Sequence, residues 1–97
     1  MKQAIAADGK DAEAMVSDRA GRAPYYLIYE DGDLVEAWKN PFAVGGGGAG
    51  WSVAHKLAEK GVRKVVAGRI GGNFTKALEE KSVDYEERPG EQVKDVL

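Results

Sequence analysis

The sequence predicts an α/β domain built on a mixed β-sheet with helices on both faces. Two observations lead to this class. An Asp31-Gly32 pair separates two strand-like stretches and favours a tight hairpin, which makes those strands antiparallel. Further along the chain, strand-like stretches alternate with stretches whose apolar residues recur at helical spacing. Such β-α-β units require parallel neighbours joined in a right-handed sense.

The first half of the chain is typical of three strands, with a long loop after the first. Residues 3–7 are short, apolar and small, as in a buried strand that other layers approach closely. Residues 8–22 are polar and alanine-rich without a clean period, which indicates a loop with a possible helical turn over 12–16. Residues 25–30 are aromatic and β-branched, and residues 34–39 alternate in character, so both predict strands.

The second half predicts helices that alternate with strands. Asn40-Pro41 closes the third strand, and a glycine-rich segment then leads into the first helix. Residues 62–67 predict the next strand, after which Asn73 can cap a second helix. Residues 83–86 predict a last strand, and residues 93–97 suit a short terminal helix. The apolar stripes of the two main helices are Val53, Ala54, Leu57 and Ala58, then Phe74, Ala77 and Leu78.

Composition bounds the function classes. The 97 residues predict one domain, residues 1–97, with one modest core. A net charge of −2 does not favour nucleic-acid binding. The absence of cysteine excludes disulfides, thiolate metal sites and thiol catalysis. No apolar run has membrane-spanning length, and the first strand is too short and too weakly apolar for a signal peptide, so we expect a cytoplasmic protein without a membrane partner.

Two segments carry a family resemblance. The first reads Ser17-Asp18-Arg19-Ala20-Gly21-Arg22-Ala23-Pro24-Tyr25-Tyr26, and the second runs from Gly48-Ala49-Gly50 to Ala67-Gly68-Arg69-Ile70-Gly71-Gly72-Asn73. Together they resemble the dinitrogenase iron–molybdenum cofactor-binding family of the NifX, NafY and NifB C-terminal domain type. Its members read S-E-H-F-G-R-A-P-Y-F, then G-A-G at a helix start, then A-G-x-I-G-x-N after a strand. Two positions differ, since Arg19 replaces the family's histidine and Ala20 its aromatic residue.

The resemblance implies both a fold and a role. The fold is a ribonuclease-H-like three-layer arrangement with strand order 3-2-1-4-5. The role is that of a non-catalytic carrier or scaffold for an anionic iron–molybdenum or other metal–sulfur cluster. Its implied partners are the cluster itself or a small anion, and a protein that donates or accepts the cluster. Direct metal ligation is not implied here, because Arg19 stands at the family's histidine position.

The glycine-rich segment is one candidate site. Gly45-x-Gly47-x-x-Gly50 matches the dinucleotide-binding fingerprint, but Arg69 and Ile70 stand where that motif needs an acidic residue for the ribose. No Walker lysine follows either. Backbone amides at residues 48–50 favour an anion at the positive end of the helix dipole. The alternative is a flexible crossover loop with no ligand.

Two further candidate segments contain arginines. Arg69 and Asn73 follow a strand at its carboxyl end, where ligands of open α/β sheets bind. The alternative is a turn in which Asn73 only caps the helix and Arg69 is a solvated surface arginine, although turn chemistry explains Arg69 less well than Asn73. Arg19 and Arg22 lie in the first loop, whose Gly21 to Pro24 stretch also has a structural explanation in which Arg22 pairs with an acid. The predicted cofactor-binding set is Arg19, Arg22, Gly48, Ala49, Gly50, Arg69, Gly71 and Asn73.

Catalysis and metal ligation find little support in the sequence. His55 is the sole histidine and falls mid-helix, off the apolar stripe, so no catalytic triad and no metal site is predicted. Asp8 follows the first strand, but a nuclease of the ribonuclease H type needs several converging carboxylates. Two alternatives to a cluster carrier stay open: a phosphate- or nucleotide-binding regulatory module, and a protein-interaction domain that has lost the ligand.

Overall fold

A computed structural model describes residues 1–44 and 48–97 of the chain. The strands are β1 (Lys2–Ala7), β2 (Tyr25–Glu30), β3 (Asp33–Lys39), β4 (Val62–Ala67) and β5 (Asp84–Glu87). The helices are α1 (Ala49–Glu59) and α2 (Gly72–Glu80), and short 3-10 turns span Ala20–Arg22 and Val93–Asp95. The strands form a five-stranded sheet in the order β3-β2-β1-β4-β5. The predicted α/β class and strand order are therefore confirmed.

The pairing of the strands follows the turn and crossover signals of the sequence. Ile5 of β1 lies opposite Val66 of β4 in a parallel pair. Leu27 of β2 lies opposite Ala37 of β3 in an antiparallel pair. The hairpin between β2 and β3 turns through Asp31 and Gly32, whose φ angles are 52° and 91°. Both values are positive, as a tight two-residue hairpin turn requires.

Side chains that alternate along the strands build two separate cores. One face of the sheet packs against both α-helices, and the stripes predicted for α1 and α2 supply its buried contacts. The opposite face packs against the first loop and the last 3-10 turn. The buried residues of this second core are Ile5, Ala7, Val16, Leu27, Tyr29, Val66 and Val93.

The layer on the second face differs from the prediction of helices on both faces. Both α-helices lie on one face because the crossovers from β3 to β4 and from β4 to β5 progress in the same direction across the sheet. Among residues 1–44 and 48–97, the other face is covered by the 3-10 turn Val93–Asp95 and part of the first loop. Residues 12–16, where a helical turn was expected, instead include isolated bridges from Val16 to Ala7 and from Met15 to Gln92.

One end of the sheet gathers the connecting segments that carry the predicted site residues. The parallel strands β1, β4 and β5 all end there, and we call it the carboxyl end of the sheet. Strand β2 begins at this end and β3 finishes there, since Tyr25 pairs with both Ala7 and Lys39. The first loop and the segments that precede α1 and α2 therefore meet at one place. Neither α1 nor α2 is long and apolar enough to cross a membrane.

Candidate functional site

The first loop forms an open cleft of about 440 Å³ at the carboxyl end of the sheet. This volume lies in the range of small-molecule sites. Its charged lining residues are two acids and two arginines, so the lining has no formal net charge. The cleft is lined by Asp8, Met15, Val16, Ser17, Asp18, Arg19, Arg22, Pro24 and Gly90.

Ser17 fixes the backbone of this loop to the sheet. Its side chain is buried, with a residue exposure of 2%. Its N–H donates to the Ala6 carbonyl at 2.8 Å, and its carbonyl accepts the Gly68 N–H at 2.8 Å. Its hydroxyl accepts the Arg19 N–H at 3.2 Å. Ser17 thus links the first loop to the ends of β1 and β4, and its hydroxyl fixes the backbone at Arg19.

Gly68 allows the loop to approach the end of β4 closely. A Cβ atom at this position would lie 2.2 Å from the Asp18 Oδ1 and 3.0 Å from the Asp18 Cα. A side chain at position 68 would require the Asp18 side chain to rotate away and the backbone of the first loop to shift, since the Ser17 carbonyl oxygen would also lie only 3.1 Å from the Cβ atom. The G of the A-G-x-I-G motif therefore has a packing reason in this chain, whether or not a ligand binds there.

Two buried side chains donate hydrogen bonds to the backbone of the 3-10 turn Ala20–Arg22 and the residue after it. The Tyr26 hydroxyl donates to the Ala20 carbonyl. Burial raises the pKa of Tyr26 far above its ordinary value, so the phenol stays a neutral donor. The Asn40 side-chain amide donates to the Gly21 and Ala23 carbonyls at 3.1 Å and 2.9 Å. The Asn40 amide therefore fixes the backbone on both sides of Arg22, whereas Tyr26 holds only the first residue of the turn, Ala20.

The three predicted arginines lie in different surroundings. Arg19 and Arg69 are exposed, and neither forms an ion pair with any residue of 1–44 or 48–97. Arg22 is half-buried, and its Nη1 donates to the Phe42 carbonyl at 3.4 Å. This contact links the first loop to the segment that leads into α1.

The two α-helices begin at this end of the sheet without a side-chain cap from any described residue. Gly48 precedes α1 with a φ of 84°, and Gly71 precedes α2 in an extended conformation. The expectation that Asn73 caps α2 is wrong, because the helix already begins at Gly72 and Asn73 lies inside its first turn. The first N–H groups of a helix have no partner within it, so both starts are suited to an anion.

Close contacts join the first loop to both helix starts. A Cβ atom at Gly21 would lie 3.2 Å from the Gly50 backbone nitrogen, and one at Gly50 would lie 3.1 Å from the Phe74 Cβ. Gly50 in α1 therefore packs between the first loop and the start of α2. Just before α2, the Ile70 N–H donates to the Glu87 carboxylate at 2.8 Å.

The predicted site residues share one end of the sheet but only partly one cleft. Arg19 and Arg22 line it, whereas the described lining does not include Gly48, Ala49, Gly50, Arg69, Gly71 or Asn73. The first two glycines of the predicted dinucleotide fingerprint, Gly45 and Gly47, lie outside the described residues.

Sequence reasoning assigned no role to four residues that shape this site. Asp18 and Ser17 were visible only as part of the family motif, Tyr26 only as a strand residue, and Asn40 only as a strand end. No local pattern reveals the roles of Ser17, Asp18 and Asn40, because their main partners lie 11 or more residues away in the sequence. Tyr26 reaches the Ala20 carbonyl six residues away, but the alternation of a strand does not indicate that contact. His55 lies exposed on α1, 3.5 Å from the Glu59 carboxylate. Within the described residues, no group of three or more metal-ligating His, Cys, Asp or Glu side chains comes together.

Comparisons with known proteins give a family and a fold. A model of the dinitrogenase iron-molybdenum cofactor family matches residues 1–97. The solution structure of a proposed NifB protein from Thermotoga superposes with a TM-score of 0.82 at 34% identity, over 97% of this chain and 81% of that one. The orange protein of Desulfovibrio gigas, in its apo form, gives a TM-score of 0.90 at 23% identity, over 98% of this chain and 82% of that one. No curated protein matches the chain.

Proposed function

This chain belongs to the dinitrogenase iron-molybdenum cofactor family, and on that premise we propose that it is a non-catalytic carrier or scaffold for an anionic metal–sulfur cluster. The cluster is the cargo of the protein, which holds it without turning it over. The Thermotoga relative, described as a proposed NifB protein, supports the same class of role. A protein that donates or accepts the cluster is the macromolecular partner that such a role requires.

One observation carries this proposal. Two exposed arginines without ion-pair partners among the described residues, Arg19 and Arg69, lie at the same end of the sheet as two helix starts without side-chain caps. Guanidinium groups and helix N-termini both favour negative charge. In the described residues, Arg88 at this end is by contrast already paired with Glu86 and Glu91.

The chemistry available is electrostatic. A guanidinium has five N–H donors and no lone pair to give a metal, so arginines bind the sulfur or oxygen atoms of a cluster and not its metal ions. The chain has no cysteine, and its single histidine lies on α1. We therefore propose that the cluster is held by charge-assisted hydrogen bonds from Arg19, Arg22 and Arg69 and from the amides of residues 48–50 and 71–73.

Two carboxylates in the cleft oppose the binding of anions. Asp8 and Asp18 line the same cleft as Arg19 and Arg22. They repel a free anion, which lowers affinity and makes the binding depend on both the arginines and the helix starts. Exposed charges that lie more than about 8 Å apart are largely screened at physiological ionic strength. Binding of this kind is reversible and weakens with salt, as the release of a cargo requires.

The test is loading of the purified protein with tetrathiomolybdate, a coloured molybdenum–sulfur anion. After gel filtration, we expect molybdenum and visible absorbance to elute with the wild-type protein at low salt and to decline as salt rises. Arg19→Gln combined with Arg69→Gln should abolish retention. Arg63→Gln is the matched control, because Arg63 is also exposed but lies near the start of β4, at the other end of the sheet.

Two outcomes would overturn the proposal. One is wild-type protein that retains no molybdenum at low salt. The other is equal loss of retention in the Arg63→Gln control, which would show that the anion binds anywhere on the surface. Thermal stabilisation by ATP or inorganic phosphate in place of tetrathiomolybdate would instead favour the phosphate- or nucleotide-binding alternative.

A further inference from the structure

Asn40 lies at the centre of a hydrogen-bond network at the carboxyl end of the sheet. It follows β3 directly and has a residue exposure of only 4%. Its side-chain nitrogen donates to the Gly21 carbonyl at 3.1 Å and to the Ala23 carbonyl at 2.9 Å. Its side-chain oxygen accepts the Phe42 N–H at 2.9 Å. Its backbone N–H donates to the Pro24 carbonyl at 3.0 Å.

This network encloses Arg22 from both directions. The two carbonyls that the Asn40 amide binds belong to the residues on either side of Arg22. The Phe42 carbonyl accepts from the Arg22 Nη1, and the Phe42 N–H is bound by Asn40. Asn40 therefore fixes both the backbone that carries the Arg22 side chain and one of the groups that the guanidinium contacts.

Only an asparagine satisfies all of these groups at this position. An aspartate of the same shape lacks the two N–H donors and would place a charge among buried carbonyls. An alanine leaves two carbonyls and one N–H without their partner. The type of residue is thus set by the groups around it.

We infer that Asn40 is the positioning residue for Arg22, which it holds at the wall of the cleft. This inference rests on the proposed function, since it assigns Arg22 a defined orientation toward an anionic cargo. Asn40 also couples the first loop to residues 41–44, which lead toward the start of α1. An anion bound by Arg22 would therefore contact a residue that Asn40 connects to both the first loop and residues 41–44.

The first test is a double-mutant cycle read by tetrathiomolybdate affinity at low salt. Asn40→Ala should weaken binding by roughly three- to tenfold, the range that one lost hydrogen bond represents. In an Arg22→Gln background, the same substitution should change affinity by less than about twofold, since the residue it positions is gone. Tyr26→Phe is the control, because it removes a buried hydrogen bond to the same 3-10 turn without touching the Asn40 network.

The second test does not need the ligand. The Arg22 side-chain Nε–H should be rigid by ¹⁵N relaxation in the wild type and in Tyr26→Phe, and mobile in Asn40→Ala. If Asn40→Ala does not fold, Asn40→Ser is used, since its hydroxyl keeps one donor. Wild-type protein that binds no tetrathiomolybdate would refute the proposed function alone, and the relaxation result then decides the role of Asn40. Equal weakening by Asn40→Ala in both backgrounds, or an Arg22 side chain equally rigid in all variants, would overturn the inference.

Discussion

Two arginine-bearing segments at the same end of the sheet are built in opposite ways. In the first loop the backbone is fixed by Ser17, Asn40 and Tyr26, and the Arg19 side chain extends into solvent. In the turn after β5 the side chain itself is fixed. Arg88 donates twice to Glu91, at 2.6 Å and 2.9 Å, and once to Glu86 at 3.1 Å.

The difference separates an arginine whose charge is neutralised by neighbouring carboxylates from one that has no ion pair among the described residues. Glu91 and Glu86 neutralise Arg88, and the pKa of the Arg88 guanidinium is raised as a result. An anion would have to displace these carboxylates to reach it. Arg19 stands on a rigid backbone with no such competitor among the described residues, so its charge is available. The net charge of the chain, −2, does not tell a paired arginine from an unpaired one.

The largest expected effect comes from breaking the close contact that fixes the first loop. Gly68→Ala places a methyl group against Asp18 and should destabilise the protein by about 1–3 kcal/mol, as overpacking does. Urea unfolding measures the change. Gly71→Ala is the matched control, because no described residue other than its chain neighbours has an atom within 4 Å of the added Cβ and its φ is −71°. Equal stability of the two variants would contradict a rigid first loop.

The second prediction concerns the ion pairs of Arg88. The Arg88 guanidinium holds the pKa of Glu91 below its ordinary value of 4.5. A lowered folded-state pKa contributes stability that is present above 4.5 and is lost as pH falls through the folded value. We therefore expect wild-type protein to lose more stability than Glu91→Gln between neutral pH and about pH 3. Parallel losses in urea midpoints across this range would show that the pair contributes nothing.

A third prediction sharpens the role of Arg19. Arg19→His restores the residue type of the family motif at that position, and a neutral imidazole can give a lone pair to a metal. We expect higher retention of a supplied iron–molybdenum or molybdenum–sulfur cluster that has an open coordination site on a metal, through gel filtration at high salt, where charge attraction is screened. Retention equal to that of the wild type at high salt would refute this assignment.

The smallest effect is expected at His55. Its side chain is exposed on α1, and its partner Glu59 is exposed as well. His55→Ala should change the free energy of unfolding by less than about 0.5 kcal/mol, as surface substitutions do. It should also leave molybdenum retention unchanged. Loss of retention in this variant would place the binding site on the exposed surface of α1 and not at the first loop.

The sequence was most informative where local chemistry decides the structure. The Asp31-Gly32 turn, the strand Tyr25–Glu30 and the apolar stripe at Phe74 are all as predicted, because each depends on neighbours close in the chain. The layer on the second face could not be predicted. Its backbone bonds join Val16 to Glu91 and Val93 to Ala14, and no periodicity signals such distant pairing.

The candidate site was predictable as a set of segments but not as a geometry. Glycines at strand ends and helix starts indicated which loops meet at the carboxyl end of the sheet. The cap assigned to Asn73 was wrong because capping preference is local, whereas Gly71 is extended and α2 begins one residue after it. The role of Asn40 depends on carbonyls 17 and 19 residues away, which a single sequence does not relate to it.

The pairing between residues 12–16 and 91–94 has a consequence for the order in which the molecule assembles. During synthesis, the first loop leaves the ribosome long before Gln92 and Val93, whose contacts with Met15 and Ala14 complete the second core. Until then Ile5, Leu27 and Val66 have no cover on that face. The cleft that Arg19 and Arg22 line also has Gly90 in its wall, so it is completed only after residue 90 has been made. A nascent chain that stops short of Gly90 carries both arginines but lacks this part of the cleft wall.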